Sequence, residues 1–173
     1  MTENAEQLYK RALSEMRKGQ WLSAIKLFKL RPAVVEEDWK YPWNLAWCYF
    51  KLHKFDTARK HMVRATQLSP ENPACMTGLG TIYLKRKQFK KAESVLNESL
   101  RIKDLHFTRI SLALTYLSQS KVVEAESVHL EGIRLKPKSS RRYESYAAFL
   151  SDVGRETEAR IMEENARKLQ RVN

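Results

Sequence analysis

Two tryptophans separated by four positions are the residues whose types and spacing most directly predict chemistry. Trp43 and Trp47 would share one face of a helix, one turn apart. Two indole rings in a groove can anchor the apolar or aromatic side chains of a bound segment, and Trp is enriched at binding hot spots. The alternative is that one or both rings belong to the core, since helix-spaced aromatic residues are often buried.

Basic residues recur at a fixed interval. Arg17, Lys51 and Lys85 are each 34 positions apart. In a stack of equivalent units they would form a row of cations along one edge, able to hold an acidic segment or a C-terminal carboxylate. The next two places are Ser118 and Asp152, so the row ends toward the C-terminus. The alternative is a charged rim that is simply solvated.

Residues that would support catalysis or bind a metal are scattered. The histidines are not in an HExxH pattern, and we expect each to be a surface or hydrogen-bonded residue: His53, His61, His106 and His129. The chain has no Gly-x-Ser-x-Gly, Walker A or dinucleotide-binding glycine motif. Cys48 and Cys75 are too few for a disulfide framework and are expected to be small buried residues in a reducing compartment. We therefore expect no enzyme, no cofactor and no metal.

The composition favours a helical, soluble chain. Of 173 residues, 43% are apolar, and only five are Gly and five are Pro, which is too few turn residues for an all-β fold. The N-terminus lacks the apolar region of a secretory signal, and no apolar run approaches the length of a membrane span. These features leave a cytoplasmic or a nuclear protein without membrane insertion, of which we expect the cytoplasmic one, and they leave self-association open.

The net charge of +12 raises the question of nucleic acid. Lys85-Arg86-Lys87 and Lys90-Lys91 concentrate positive charge in the middle of the chain, where it could attract acidic proteins or phosphate backbones. The sequence has no glycine-aromatic RNP motif, no zinc-ligand spacing and no basic tail. Nucleic acid is therefore disfavoured as a partner.

An internal repeat defines the elements that must position these residues. Alanines recur at intervals of 34, 34, 33 and 34 residues: Ala24, Ala58, Ala92, Ala125 and Ala159. Upstream, a leucine, a small residue and a tyrosine recur at 45–49, 79–83 and 112–116. Apolar residues within each unit are three or four positions apart, which is the helical period. Each unit is therefore predicted to be helix, turn, helix, with small residues where the two helices cross closely.

This pattern resembles the tetratricopeptide repeat family, whose repeats carry W-x2-L-G-x2-Y, A-x3-F and P with a period of about 34 residues. The third unit matches best, with Leu79, Gly80, Tyr83, Ala92 and Leu96. The resemblance implies an all-α, right-handed α-solenoid of five helix-turn-helix units, in a single domain that covers residues 1–173. The predicted repeats are about 5–38, 39–72, 73–105, 106–139 and 140–173.

Residues that depart from the family pattern lead to further structural expectations. Arg11 and Glu163 place polar residues in the terminal repeats, whose outer faces meet water. Pro32 should end or bend the second helix of the first repeat. Val34 and Val35 should then pack against the next repeat.

The resemblance also implies that the first helix of every repeat lines a concave groove. The residues assigned to it are Tyr9, Leu13, Arg17, Trp43, Asn44, Trp47, Lys51, Thr77, Gly78, Thr81, Lys85, Ile110 and Leu114. A glycine inside a helix is destabilising by about 1 kcal/mol relative to alanine. We expect Gly78 to open space beside the two tryptophans for a ligand backbone, so that Gly78→Leu would block binding without unfolding the chain.

The predicted function is that of a protein–protein interaction scaffold or adaptor, whose partner presents an apolar segment with acidic flanks. Alternatives are a chaperone or assembly factor for one client, including an export-related one, a recruiting module of a larger regulatory system, and, less favoured, RNA binding. The carboxylate clamp that some family members use is absent, because only Asn44 fits its pattern. Co-chaperone activity is therefore disfavoured.

Overall fold

The computed structural model describes residues 4–30 and 38–172, so the expectations for Pro32, Val34 and Val35 lie outside the described residues. Within these ranges the chain forms ten helices and no strand. They are α1 (Ala5–Arg17), α2 (Trp21–Lys29), α3 (Lys40–Lys51), α4 (Phe55–Leu68), α5 (Pro73–Lys85), α6 (Phe89–Ile102), α7 (His106–Leu117), α8 (Val122–Leu135), α9 (Ser140–Asp152) and α10 (Glu156–Val172).

Every predicted repeat corresponds to two consecutive helices. The first helix of each pair ends in the same turn, in which one residue has a positive φ angle: Gly19 (75°), His53 (57°), Lys87 (56°), Ser120 (60°) and Gly154 (79°). The following residue donates its N–H to a carbonyl oxygen five positions back, as Gln20 does to Glu15 at 2.9 Å. This is the Schellman termination of a helix.

Small residues lie at the helix crossings, as the repeat pattern predicts. Alanines with no more than 3% of their surface exposed occupy nine of the described helices: Ala12, Ala24, Ala46, Ala58, Ala92, Ala113, Ala125, Ala147 and Ala159. In α5 the buried Gly80 takes this place. A side chain no larger than a methyl group at these places lets the two helix axes approach, and larger neighbours fill the flanking space. The exposed positions of Arg11 and Glu163 agree with the expectation for the terminal repeats.

The helices group into two compact units, residues 1–88 and 89–173, which we call unit 1 and unit 2. The boundary falls between α5 and α6, so the two helices of the third repeat belong to different units. In unit 1, the rings of Tyr9, Phe28 and Tyr41 form an aromatic core, with centroid distances of 4.8 to 6.1 Å. Phe28 is fully buried there. This contact joins the first repeat to α3.

Unit 2 contains a buried ionic cluster. Asp104 accepts hydrogen bonds from Arg109 Nε at 2.6 Å and from Arg142 Nη2 at 2.9 Å. The side chains of Arg109 and Arg142 are only 10% and 3% exposed. Asp104 occupies the place where two other repeats have a proline, so this carboxylate replaces a chain-breaking residue with a link between α7 and α9.

Both cysteines are buried and free, as expected. Burial raises the pKa of the Cys48 thiol to about 11 and that of Cys75 to about 12. Neither thiol is therefore ionised near neutral pH, and both act as small apolar core residues.

The described ranges contain neither a membrane span nor a metal cluster. No helix there is long and apolar enough to cross a membrane. No group of three or more His, Cys, Asp or Glu side chains within them is arranged to hold a metal ion.

Candidate functional site

Aromatic rings form a continuous series along α3. The ring centroids of Trp39 and Trp43 are 6.3 Å apart, those of Trp43 and Trp47 are 5.9 Å apart, and those of Trp47 and Phe50 are 5.1 Å apart. All three pairs meet edge to face, the arrangement that the ring quadrupoles favour. We call these four residues the α3 aromatic series.

Trp43 and Trp47 are neither core nor fully exposed. Both side chains are half-buried, which leaves part of each at the surface of unit 1. Their indole Nε1 atoms are buried without a hydrogen-bond acceptor in the part of the chain that the structure describes. Both rings therefore offer apolar surface and carry a donor that folding has left unsatisfied.

The three repeating cations are the last residues of their helices. Arg17 ends α1, Lys51 ends α3 and Lys85 ends α5, and all three are exposed. A cation in this place also stabilises the helix, because the helix C-terminus carries partial negative charge. None of the three forms an ion pair with a described residue, and Lys51 Nζ lies 6.0 Å from the ring centroid of Trp21. We call these residues the cationic rim.

Two predicted site residues of unit 1 bind each other. Asn44 is 4% exposed, and its Nδ2 donates to Tyr9 Oη at 3.0 Å and to the Lys40 carbonyl at 2.8 Å. Burial raises the pKa of Tyr9. Leu13 is half-buried against the same core. Tyr9, Leu13 and Asn44 therefore support the junction of α1 and α3, and both N–H groups of the Asn44 amide are already hydrogen-bonded.

The two predicted threonines of α5 form hydrogen bonds within their own helix. Thr77 is 8% exposed, and its hydroxyl donates to the Pro73 carbonyl at 2.7 Å. The hydroxyl of Thr81, which is half-buried, donates to the Thr77 carbonyl at 2.8 Å. Both side chains satisfy their polar atoms on their own helix.

The structure corrects the expectation for Gly78. An added Cβ there would lie 2.4 Å from Cε and 2.8 Å from Sδ of Met62. The glycine therefore makes room for the buried Met62 side chain of α4, and the space is filled by the protein itself. Gly78→Leu would displace Met62, so it cannot separate binding from folding.

In unit 2, Ile110 and Leu114 line a pocket between α7 and α9. Its volume is about 160 Å³, and the lining residues are Ile110, Ala113, Leu114, Leu117, His129, Ser145, Ala148, Phe149 and Asp152. Leu114 is 42% exposed at its edge. Residues of α7, α8 and α9 thus line one shared pocket.

His129 of α8 also lines this pocket, and sequence reasoning does not assign it to a site. It is 6% exposed, its ring lies 5.1 Å from that of Phe149, and it has no hydrogen-bond partner among the described residues. His129 is therefore an interior residue of unit 2 and not a surface residue. Burial and then the nearby charges of His106, Arg109 and Arg142 lower the pKa of His129 to about 4. The available signal is its place in the repeat, where the A-x3-F pattern has a large apolar residue.

Comparison with known proteins agrees with this geometry. The family model described as "Tetratricopeptide repeat" matches residues 49–115. This match identifies tetratricopeptide repeats within residues 49–115. A curated relative, anaphase-promoting complex subunit 6 of Dictyostelium discoideum, is 35% identical over 77 residues. That match spans 44% of this chain and 9% of the relative.

Solved structures share the tetratricopeptide fold over nearly the full chain. "MamA 41-end from Desulfovibrio magneticus RS-1" has a TM-score of 0.71 at 16% identity and covers 100% of this chain and 98% of that one. "MamA AMB-1 C2221" has a TM-score of 0.63 at 19% identity and covers 95% and 98%. At these identities the likeness shows the fold alone. The predicted fold class, an all-α solenoid of five tetratricopeptide units, is confirmed.

Proposed function

We propose that this chain is a protein–protein interaction scaffold that binds a segment of another protein on the α3 aromatic series. Tetratricopeptide repeats are in general a scaffold fold for protein binding. The observation that carries the proposal is the pair Trp43 and Trp47, which contact each other and remain partly exposed. The curated relative is by name a subunit of a complex, which supports protein binding as the function.

We expect the tryptophan rings to supply most of the binding free energy, and the cationic rim to attract and orient the partner segment. Trp is among the residues that dominate interface energies, each hot spot contributing about 2 kcal/mol or more. The cationic rim adds long-range attraction and orientation, which act mainly on the association rate. The partner segment therefore presents an aromatic or large apolar anchor and acidic flanks.

The proposal gives the chain no catalytic role and no cofactor. It places the chain in the cytoplasm, where its two free cysteines would stay reduced.

Affinity capture from a nuclease-treated lysate tests the proposal, with wild type, Trp47→Ala and Leu22→Ala as baits. Leu22 is 62% exposed on α2, so Leu22→Ala removes apolar surface from the second helix of the first repeat, in the same unit. We expect a partner that wild type and Leu22→Ala capture and that Trp47→Ala loses. Circular dichroism must show that all three baits are equally helical.

Other outcomes overturn the proposal in different ways. Equal capture by Trp47→Ala places the binding surface elsewhere. A protein that is captured from an untreated lysate and lost after nuclease treatment identifies nucleic acid as the bridging partner. A partner that becomes insoluble unless it is co-expressed with this chain would identify a chaperone for that client.

A further inference from the structure

The pocket of unit 2 differs chemically from the α3 aromatic series. Its walls are mainly apolar, with Ile110, Leu114, Leu117 and Phe149, whereas the polar lining residues are His129, Asp152 and Ser145, whose hydroxyl donates to the Arg142 carbonyl. An apolar cavity of about 150 Å³ is known to hold benzene. At about 160 Å³ the pocket therefore has room for a single aromatic ring.

His129 gives the pocket a hydrogen-bonding requirement. The imidazole is 6% exposed, lines the pocket and has no hydrogen-bond partner among the described residues. A neutral imidazole has one donor and one acceptor nitrogen. A purely apolar occupant that excludes water from a ring nitrogen would leave that nitrogen unsatisfied, which is unfavourable. A hydroxyl group can donate or accept, so it satisfies either tautomer.

Asp152 gives the pocket a charge preference. It is the last residue of α9, it is exposed, and it forms no ion pair with any described residue. The carboxylate adds to the partial negative charge of the helix C-terminus. The only other charged or titratable side chain in the lining is His129. A cation next to the occupant would therefore be stabilised at this edge of the pocket.

We propose that this pocket binds the phenol ring of a tyrosine side chain that is next to a basic group. The hydroxyl pairs with His129, the ring packs on Phe149 and the leucines, and the cation lies by Asp152. This inference rests on the proposed function only in that it takes a segment of another protein as the partner, and its chemistry is independent of unit 1. The expected partner feature is a tyrosine followed or preceded by Lys or Arg.

Three small probes separate the contributions, each titrated into the full chain at pH 7 and followed by ¹⁵N–¹H correlation spectra. Tyramine carries both the hydroxyl and the ammonium group. Phenethylamine lacks the hydroxyl, and 3-(4-hydroxyphenyl)propionate replaces the ammonium with a carboxylate. We expect saturable shifts at Ala113, Ser145 and Ala148 with tyramine. Phenethylamine should bind about fivefold more weakly, and the carboxylate probe at least about threefold more weakly at low salt.

Variants of this chain assign each preference to its residue. His129→Phe keeps an aromatic ring of similar size and should abolish the preference for tyramine over phenethylamine. Asp152→Asn changes only an exposed group and should abolish the preference for the ammonium over the carboxylate probe. Phenethylamine that binds wild type as tightly as tyramine, or tyramine shifts outside the pocket, would overturn the inference.

The two proposals fail separately. Trp47→Ala lies in unit 1 and should leave tyramine binding unchanged. If tyramine binds as expected but Trp47→Ala still captures the partner, only the proposed function on the α3 aromatic series fails. If the capture depends on Trp47 but tyramine does not bind, only the pocket inference fails.

Discussion

Removal of the Asp104 carboxylate tests the physical account of unit 2. Asp104→Ala would leave the guanidinium groups of Arg109 and Arg142 without their shared anion, in an environment where those side chains are 10% and 3% exposed. A hydrogen bond to a charged group contributes about 1.5–3 kcal/mol. The substitution removes two such hydrogen bonds, of 2.6 and 2.9 Å. The free energy of unfolding should therefore fall by about 3 to 6 kcal/mol.

The expected loss is nearer the lower end of that range. Asp104 is itself 21% exposed, so water can partly replace it, and Arg109 keeps a hydrogen bond to the Val128 carbonyl at 3.2 Å. We expect Asp104→Ala to lower the free energy of unfolding by about 3 kcal/mol, in line with other broken buried ion pairs. Urea unfolding followed by far-ultraviolet circular dichroism measures this directly.

A surface ion pair provides the matched control. Asp56 pairs with Arg86 and is 76% exposed, so Asp56→Ala should lower the free energy of unfolding by no more than about 1 kcal/mol. If the two alanine substitutions are equally destabilising, the argument that burial makes the Asp104 cluster important is refuted. An Asp104→Ala variant as stable as wild type would refute it as well.

Three other features of the structure can be tested by similar measurements. Because the pKa of His129 falls from 6.5 to about 4 on folding, the unfolded chain binds more protons between these values. Acidification from pH 6.5 to pH 4 should therefore lower the free energy of unfolding, with His129 contributing up to about 3 kcal/mol, and urea titrations of His129→Phe should show a correspondingly weaker pH dependence. Cys48 and Cys75 are fully buried with raised pKa values, so a thiol reagent should label neither in the native chain at pH 7 and both in urea. Lys87 has a φ of 56°, so Lys87→Gly should raise the free energy of unfolding by up to about 1 kcal/mol in the same urea assay. An unchanged or lower value would show that the turn is not strained.

The repeat architecture is predictable because it depends on short-range patterns. The spacing of Ala24, Ala58 and Ala92 marks the close helix crossings, and all three are fully buried. The apolar period predicts the helices themselves. The repeat also locates the turns, although the sequence provides little reason for a non-glycine such as His53 or Lys87 to adopt a positive φ.

The site is less predictable because it depends on which contacts are already made inside the fold. The repeat pattern assigns Tyr9 and Asn44 to a ligand, whereas their polar atoms are 3.0 Å apart in a bond to each other. It predicts open space at Gly78, which Met62 fills. The chemistry of His129 is hidden from the sequence, because only the packing of the α8 helix shows that the imidazole is buried and unpartnered among the described residues. The spacing of residues within a repeat does not predict which side chains from different helices contact each other.

The relative contributions of the tryptophans and the cationic rim test the central claim most directly. The dissociation constant of the captured partner segment should be measured by calorimetry for wild type, Trp47→Ala and Lys51→Ala, with Lys26→Ala of α2 as the control for an exposed lysine. We expect Trp47→Ala to weaken binding by about thirtyfold or more, and Lys51→Ala by about fivefold or less. A larger loss with Lys51→Ala than with Trp47→Ala would contradict the account.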